Sequence, residues 1–157
     1  MENCNTAMPE FDWRHLDWQA LAKIAFAYAL SLPIGWDRER ATHGAGIRTF
    51  PLVAASSCAF VLIAVRALGP SAGGHANVIQ GLLTGIGFLG AGAIMRTGSS
   101  VHGTATAASI WSVSALGAAV GYGAFEIAVF LAVVNFATLR WLLEVKRQLE
   151  KEPGSGE

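Results

Sequence analysis

Charged side chains are scarce in this chain. They make up 14% of its 157 residues, and those present are gathered into short segments between long uncharged runs. A soluble domain carries about 25% charged residues, so a water-covered globule is a poor fit. The charges also balance to a formal net +0, which argues against the basic stripe of a dedicated nucleic-acid binder, and no nucleic-acid partner is expected. Cysteine is nearly absent. Cys4 lies in a polar leader and Cys58 in an apolar run, so a disulfide would pull one of them out of its environment, and both read as free thiols without metal-ligand spacing. His15, His43, His75 and His102 are scattered over loops and read as surface residues. No Ser, Cys or His stands in a nucleophile arrangement with an orienting third group. Apart from Glu126 near one end of a run, the apolar segments lack the acidic rings of a cation path. The expectation is a protein that is not an enzyme, with no catalytic residues, no bound cofactor and no metal site.

What fills the chain is apolar sequence, 53% by residue, in pieces close to the roughly 20 residues that cross a bilayer. Five spans are read: Trp18 to Trp36, Pro51 to Leu68, Val78 to Met95, Thr104 to Val120 and Phe125 to Leu143. The expected fold is an all-α, polytopic membrane bundle of about five transmembrane helices over residues 18–143. A polar, interfacial leader (1–17) precedes it and a charged tail (144–157) follows. The leader is acidic, the wrong sign for a cleavable signal peptide, and its Phe11, Trp13 and Leu16, with Trp18, suit the headgroup level. Lys23 interrupts the first span and can snorkel to the nearer interface. Arg38, Arg40, Arg48, Arg96, Arg140, Lys146, Arg147 and Lys151 would share one side of this arrangement, against Arg14 and Arg66 on the other. Positive residues collect inside, so the N-terminus is expected outside and the C-terminus in the cytoplasm.

The segment Gly81–Trp111, GLLTGIGFLGAGAIMRTGSSVHGTATAASIW, draws most attention. Gly85-Ile86-Gly87-Phe88-Leu89-Gly90 formally matches the dinucleotide fingerprint, but that motif requires a preceding strand and an acidic residue about 20 positions on, and here it lies inside an apolar run. Gly81, Gly85, Gly87, Gly90 and Gly92 read instead as helix-packing positions. Each costs a helix interior roughly 0.8–1 kcal/mol, and small residues offset that cost where membrane helices touch. Gly117 and Gly121 repeat the same small-xxx-small step. The third and fourth helices are accordingly expected together at the bundle's centre, with Trp111 deep enough to need a partner for its indole N–H.

Asp37 and Glu39 follow the first span among arginines, on the face expected to carry Arg48 and Arg96. A charge at a membrane edge with a partner costs far less than one at the centre. Asp37, Glu39, Arg48 and Arg96 are therefore the candidate functional polar cluster, with Asp37 holding Arg48 or Arg96. A solvated loop obeying the charge bias is the competing reading.

Three ordered motifs then carry a resemblance. Gly35-Trp36-Asp37-Arg38-Glu39-Arg40 followed by Ala45-Gly46-Ile47-Arg48-Thr49, then GIGFLGAGAIMR from Gly85 to Arg96, then Val101-His102-Gly103-Thr104-Ala105-Thr106-Ala107-Ala108-Ser109-Ile110-Trp111, resemble the MgtC/SapB family of bacterial inner-membrane proteins. The resemblance spans roughly Leu30 to Leu143 and matches a short form without the soluble C-terminal domain of many members. His102 stands where arginine is usual, and Phe50 where histidine is usual. It implies a multi-pass protein of the bacterial inner (plasma) membrane, surrounded by the lipid bilayer and linked to growth under magnesium limitation, to virulence in some members and to inhibition of the F-type ATP synthase. The reading preferred here is a non-enzymatic factor in adaptation to magnesium limitation or stress that binds other membrane proteins such as ATP synthase. A divalent-cation (Mg2+) transporter or channel and a homo-oligomerising module are the alternatives.

Overall fold

The structure, a computed structural model, describes residues 17–41, 45–98 and 100–149. It contains helices α1 (Trp18–Ala41), α2 (Thr49–Leu68), α3 (Ala72–Gly92), α4 (Thr104–Tyr122) and α5 (Phe125–Leu149), with strands β1 (Met95–Thr97) and β2 (Ser100–His102) between α3 and α4. The all-α bundle expected from the sequence is therefore present, with one addition. The polar link from Arg96 to Gly103 is an antiparallel hairpin in which Arg96 pairs with Val101 and Met95 with His102. Short connections make neighbouring helices antiparallel and give the bundle a hairpin end and an opposite end.

Several helix limits differ from expectation, each for a local reason. The helix α1 continues past Trp36 to Ala41, so Asp37 and Glu39 lie on its last turns instead of in a loop. Helix α3 begins six residues before Val78: the Ser71 hydroxyl accepts from the Gly74 amide at 3.4 Å and its carbonyl accepts from His75 N at 3.1 Å, which starts a helix inside the glycine-rich connector. Pro51 sits in the first turn of α2, where its missing N–H has no helical partner to lose.

The centre of the bundle is α2 against α4, the most extensive helix contact in the fold. Gly117 lies against the Ala54 backbone, where an added methyl would meet the Ala54 carbonyl oxygen and come within 3.0 Å of its Cα. One turn on, a methyl at Gly121 would stand 2.7 Å from Val61 Cβ and 3.0 Å from the Cys58 carbonyl oxygen. Beside this contact Ser57 Oγ and Ser114 Oγ share a buried hydrogen bond of 2.9 Å. The third helix is peripheral, which corrects its expected central place: only Ile86 and Gly90 on it are buried. A methyl on Gly81, Gly85, Gly87 or Gly92 would meet nothing within 4 Å among the described residues. Gly90 alone of that run faces α4, in ordinary contact with Ala107 and Trp111, and Trp111 is half-exposed, not deep.

Burial departs from that of a water-soluble bundle, although Phe50, Ile34, Leu116 and Val113 still form an apolar core. Small and polar residues fill much of the interior, among them Ala27, Ser31, Ala54, Ser57, Ser109, Ser114, Ala128 and Asn135. Large apolar side chains face outward, with Phe88 80%, Phe130 67% and Ile63 62% exposed. So large an apolar exterior marks a lipid- or protein-covered surface. Among the described residues α2 and α4 are each long and apolar enough to cross a membrane.

The opposite end is tied by polar contacts. Asp17 caps α1 by accepting from Gln19 N at 3.0 Å and Ala20 N at 3.2 Å, and its other oxygen accepts from Arg66 near the end of α2. Lys23 reaches the last turn of α4, donating to the Gly121 carbonyl at 3.4 Å with its ammonium 6.0 Å from the Phe125 ring centroid. A cation there meets the negative end of the helix dipole. His75, read from sequence as a surface residue, joins Gly69 O at 2.7 Å and Tyr122 Oη at 3.1 Å. Because Gly69 O only accepts, the neutral ring carries its proton on Nε2, and Tyr122 donates to Nδ1. His15, His43, Cys4, Phe11, Trp13 and Leu16 lie outside the described residues.

Two outcomes test this packing. Gly117→Leu and Gly121→Leu should each destabilise the protein by at least about 3 kcal/mol, at or beyond the top of the usual overpacking range. Gly81→Ala and Gly87→Ala should be neutral or gain up to about 1 kcal/mol of helix propensity, both read as thermal unfolding in detergent. The Arg66 hydrogen bond, then the Ala20 amide, holds the Asp17 carboxyl below its ordinary 3.8. Stability from this contact is thus complete above that value and is lost as pH falls through the lowered one. Melting temperatures of wild type and Arg66→Gln should converge on acidification, and a constant difference between pH 6 and pH 2.5 would refute the linkage.

Candidate functional site

The hairpin end gathers the charged motif residues but divides them among separate contacts. Asp37, on the last turns of α1, has a side chain only 15% exposed and accepts from Arg38 at 3.0 Å. A second guanidinium, Arg140 of α5, stands 3.9 Å from its other oxygen. The expected partners Arg48 and Arg96 do not reach it. Asp37 instead joins α1 to α5. Pro33, Trp36, Arg40 and Phe136 complete a depression of about 440 Å³ around Asp37 and Arg140, with the Arg40 guanidinium 5.0 Å from the Trp36 ring centroid.

Glu39 does different work. Its Oε2 accepts from the Ile47 amide at 3.1 Å, so the end of α1 orders the loop that starts α2. That loop lies tightly on α1: a methyl on Gly46 would meet the Glu39 side chain, and one on Gly35 would lie 3.1 Å from Ile47 Cα. Phe50, at the position where histidine was the usual residue, is fully buried. Arg48 stands at the N-cap of α2, at the mouth of a groove between α2 and α3. Arg96, in β1, bends back to donate from Nε to the Gly98 carbonyl at 3.1 Å. The four residues of the candidate cluster therefore belong to three arrangements: an α1–α5 ion pair, a loop clamp, and two arginines away from any carboxylate among the described residues.

The hairpin is positioned by Gly103. Its φ of 86° lies in the left-handed region, and an added methyl there would meet the Ala93 carbonyl oxygen, so only glycine suits both the backbone and the space. This locks β2 and the start of α4 against the end of α3. Below it lies a second cavity of about 570 Å³, lined by Thr49, Phe88, Gly92, His102, Thr106 and Ile110 among others. His102 thus faces a cavity, which its place in a short polar link did not reveal. Sequence reasoning also missed Arg140 as the second partner of Asp37, for which no local spacing gives a signal, since it lies on the last helix.

The chemistry open to this end is recognition by charge and hydrogen bonding. Among the described residues no group of three His, Cys, Asp or Glu is placed to hold a metal ion, and Asp37, the most enclosed acid, is engaged by two guanidiniums.

The MgtC family matches residues 24–149. The chain belongs to the MgtC family. It is 37% identical over 152 residues to Protein SrpB of Synechococcus elongatus, covering 89% of this chain and 80% of that protein. It is 32% identical over 144 residues to Protein MgtC of Salmonella typhimurium, covering 92% of this chain and 61% of the relative. It is 38% identical over 136 residues to Protein MgtC of Brucella abortus, covering 82% and 56%. The chain therefore spans about three fifths of the MgtC relatives. No solved structure matches it. Membership and the apolar exterior together make this a membrane protein of the MgtC family.

Asp37→Asn should lower stability by up to about 3 kcal/mol, the low end for breaking a buried ion pair, since it takes the carboxylate from buried Arg38. Arg48→Gln and Arg96→Gln should each stay within about 0.5 kcal/mol, as surface substitutions do. A double-mutant cycle of Asp37→Asn with Arg140→Gln should show coupling, and the same cycle with Arg48→Gln should not.

Proposed function

We propose that the protein is a multi-pass protein of the bacterial inner membrane that works without catalysis, as a membrane-embedded binding factor in adaptation to magnesium limitation or stress. The partner favoured by the family resemblance is the F-type ATP synthase. Five spans with the hairpin end in the cytoplasm fit the charge distribution: Arg38, Arg40, Arg48, Arg96 and Arg140 lie toward that end, and Lys23 and Arg66 toward the other. This is the positive-inside bias.

The observation that carries binding over ion transport is the closed centre of the bundle. Helices α2 and α4 meet backbone to backbone at Gly117 and Gly121, and the polar groups beside that contact are spent on one another or on local carbonyls. Ser57 bonds Ser114, Ser109 donates to Ala105 O at 2.7 Å, and Asn135 donates to Ser109 O at 3.4 Å. A conducting path needs polar groups turned toward the ion. The outward apolar residues, by contrast, offer a broad lateral surface to other membrane proteins.

Purified protein in proteoliposomes carrying a magnesium indicator separates the two activities. The expected result is no flux above that of empty vesicles, together with co-purification of ATP synthase subunits from solubilised membranes of cells grown in low magnesium. Magnesium uptake that Asp37→Asn abolishes would overturn the binding reading in favour of transport.

A further inference from the structure

We propose that the groove between α2 and α3 is a binding site for one anionic phospholipid, with the acyl chain along the groove and the headgroup phosphate on Arg48. The proposal rests on these helices crossing a bilayer. The groove has a volume of about 760 Å³, and its walls are mainly apolar, with Leu52, Phe60, Val78, Leu82 and Leu89 among the lining residues. Gly81 and Gly85 form its floor on α3, where a methyl on either would meet nothing within 4 Å. The glycines that looked like a helix-packing stripe therefore leave a channel among the described residues.

Length decides what kind of occupant fits. On α2 the lining runs from Arg48 to Phe60 and on α3 from Val78 to Leu89, which at 1.5 Å per residue is about 16–18 Å. That is close to one leaflet, half of the roughly 30 Å hydrocarbon core. A partner's transmembrane helix would follow the whole core; an acyl chain ends at the midplane, as this groove does. Charge decides which headgroup fits. The apolar walls open at the hairpin end on Arg48, an exposed arginine with no carboxylate partner among the described residues, beside the hydroxyl of Thr49. A guanidinium takes a phosphate in a bidentate fork, and an anionic lipid adds its net charge to that contact. The same juxtaposition accords with Arg48 standing apart from Asp37: its counter-charge is not among the described residues.

The test is native mass spectrometry of the full chain released from nanodiscs of equal phosphatidylglycerol and phosphatidylethanolamine. One phosphatidylglycerol should be retained in clear preference. Arg48→Gln should cut that retention about fivefold, the effect of about 1 kcal/mol for one basic residue at an anionic surface. Gly85→Leu, whose Cβ meets nothing within 4 Å and whose side chain has the groove to occupy, should reduce retention of either lipid while leaving the melting temperature near wild type. Equal retention of the two lipids, or retention unchanged in both variants, would overturn the proposal. So would an oxidatively linked dimer formed by Gly85→Cys and absent from wild type, because it would place a second copy in the groove. The readout does not depend on which side of the membrane Arg48 faces, on ion flux or on the protein partner, so it can fail or succeed independently of the proposed function.

Discussion

The fold depends on the contact between α2 and α4. Two helices in lipid gain nothing from hiding apolar surface, since the surrounding chains are as apolar as their own side chains. They associate where backbones come close enough for dispersion and for interhelical hydrogen bonds. Gly117 and Gly121 permit that approach along one face of α4, with Ala54, Cys58 and Val61 opposite, and the Ser57–Ser114 hydrogen bond fixes the register. Phe50, Ile34, Ile110 and Leu116 fill the space around this contact, while many other large apolar side chains, such as Phe88 and Phe130, face outward. Helix α1 and helix α5 close around this pair, and the ion pair of Asp37 with Arg140 joins their hairpin-end segments.

Helix α3 is held differently. Its ends are anchored, by the Ser71 cap and the His75 contacts to Gly69 and Tyr122 at one end and by Ala93 against Gly103 at the other. Between them its glycine face does not close onto α2. A helix fixed at both ends and open in the middle sets the width of the groove beside it without filling it. The glycines cost helix propensity, and of Gly81, Gly85, Gly87, Gly90 and Gly92 only Gly90 recovers some of that cost by packing among the described residues.

This contrast marks the limit of what the sequence discloses. Helix number and order were legible, because the long uncharged runs report them directly. The ends of α1 and α3 were not, since capping by Ser71 and the continuation of α1 through Asp37 rest on local geometry that hydropathy does not see. Gly81–Gly85 and Gly117–Gly121 have the same spacing, yet one pair is open and the other meets a backbone. Smallness is a local property; which helix arrives opposite is a property of the whole fold. The same holds for Asp37. Arg48, Arg96 and Arg140 are chemically equal candidates for it, and only the placement of α5 beside α1 chooses Arg140.

The separation of the charged residues has a physical consequence of its own. An acid shared by Arg38 and Arg140 is neutralised within the protein and serves architecture, as does Glu39, whose carboxylate is spent on the Ile47 amide. Arg48 and Arg96 are left with positive charge at the surface of the same end, one at the mouth of an apolar groove and one on an exposed hairpin. Uncompensated cations beside an apolar surface are costly in lipid unless an anion meets them. That anion lies outside the described residues, and lipid headgroups and an acidic partner are among the groups that supply one. The hairpin end is therefore where this protein meets its surroundings by charge, while the long flanks meet them by shape.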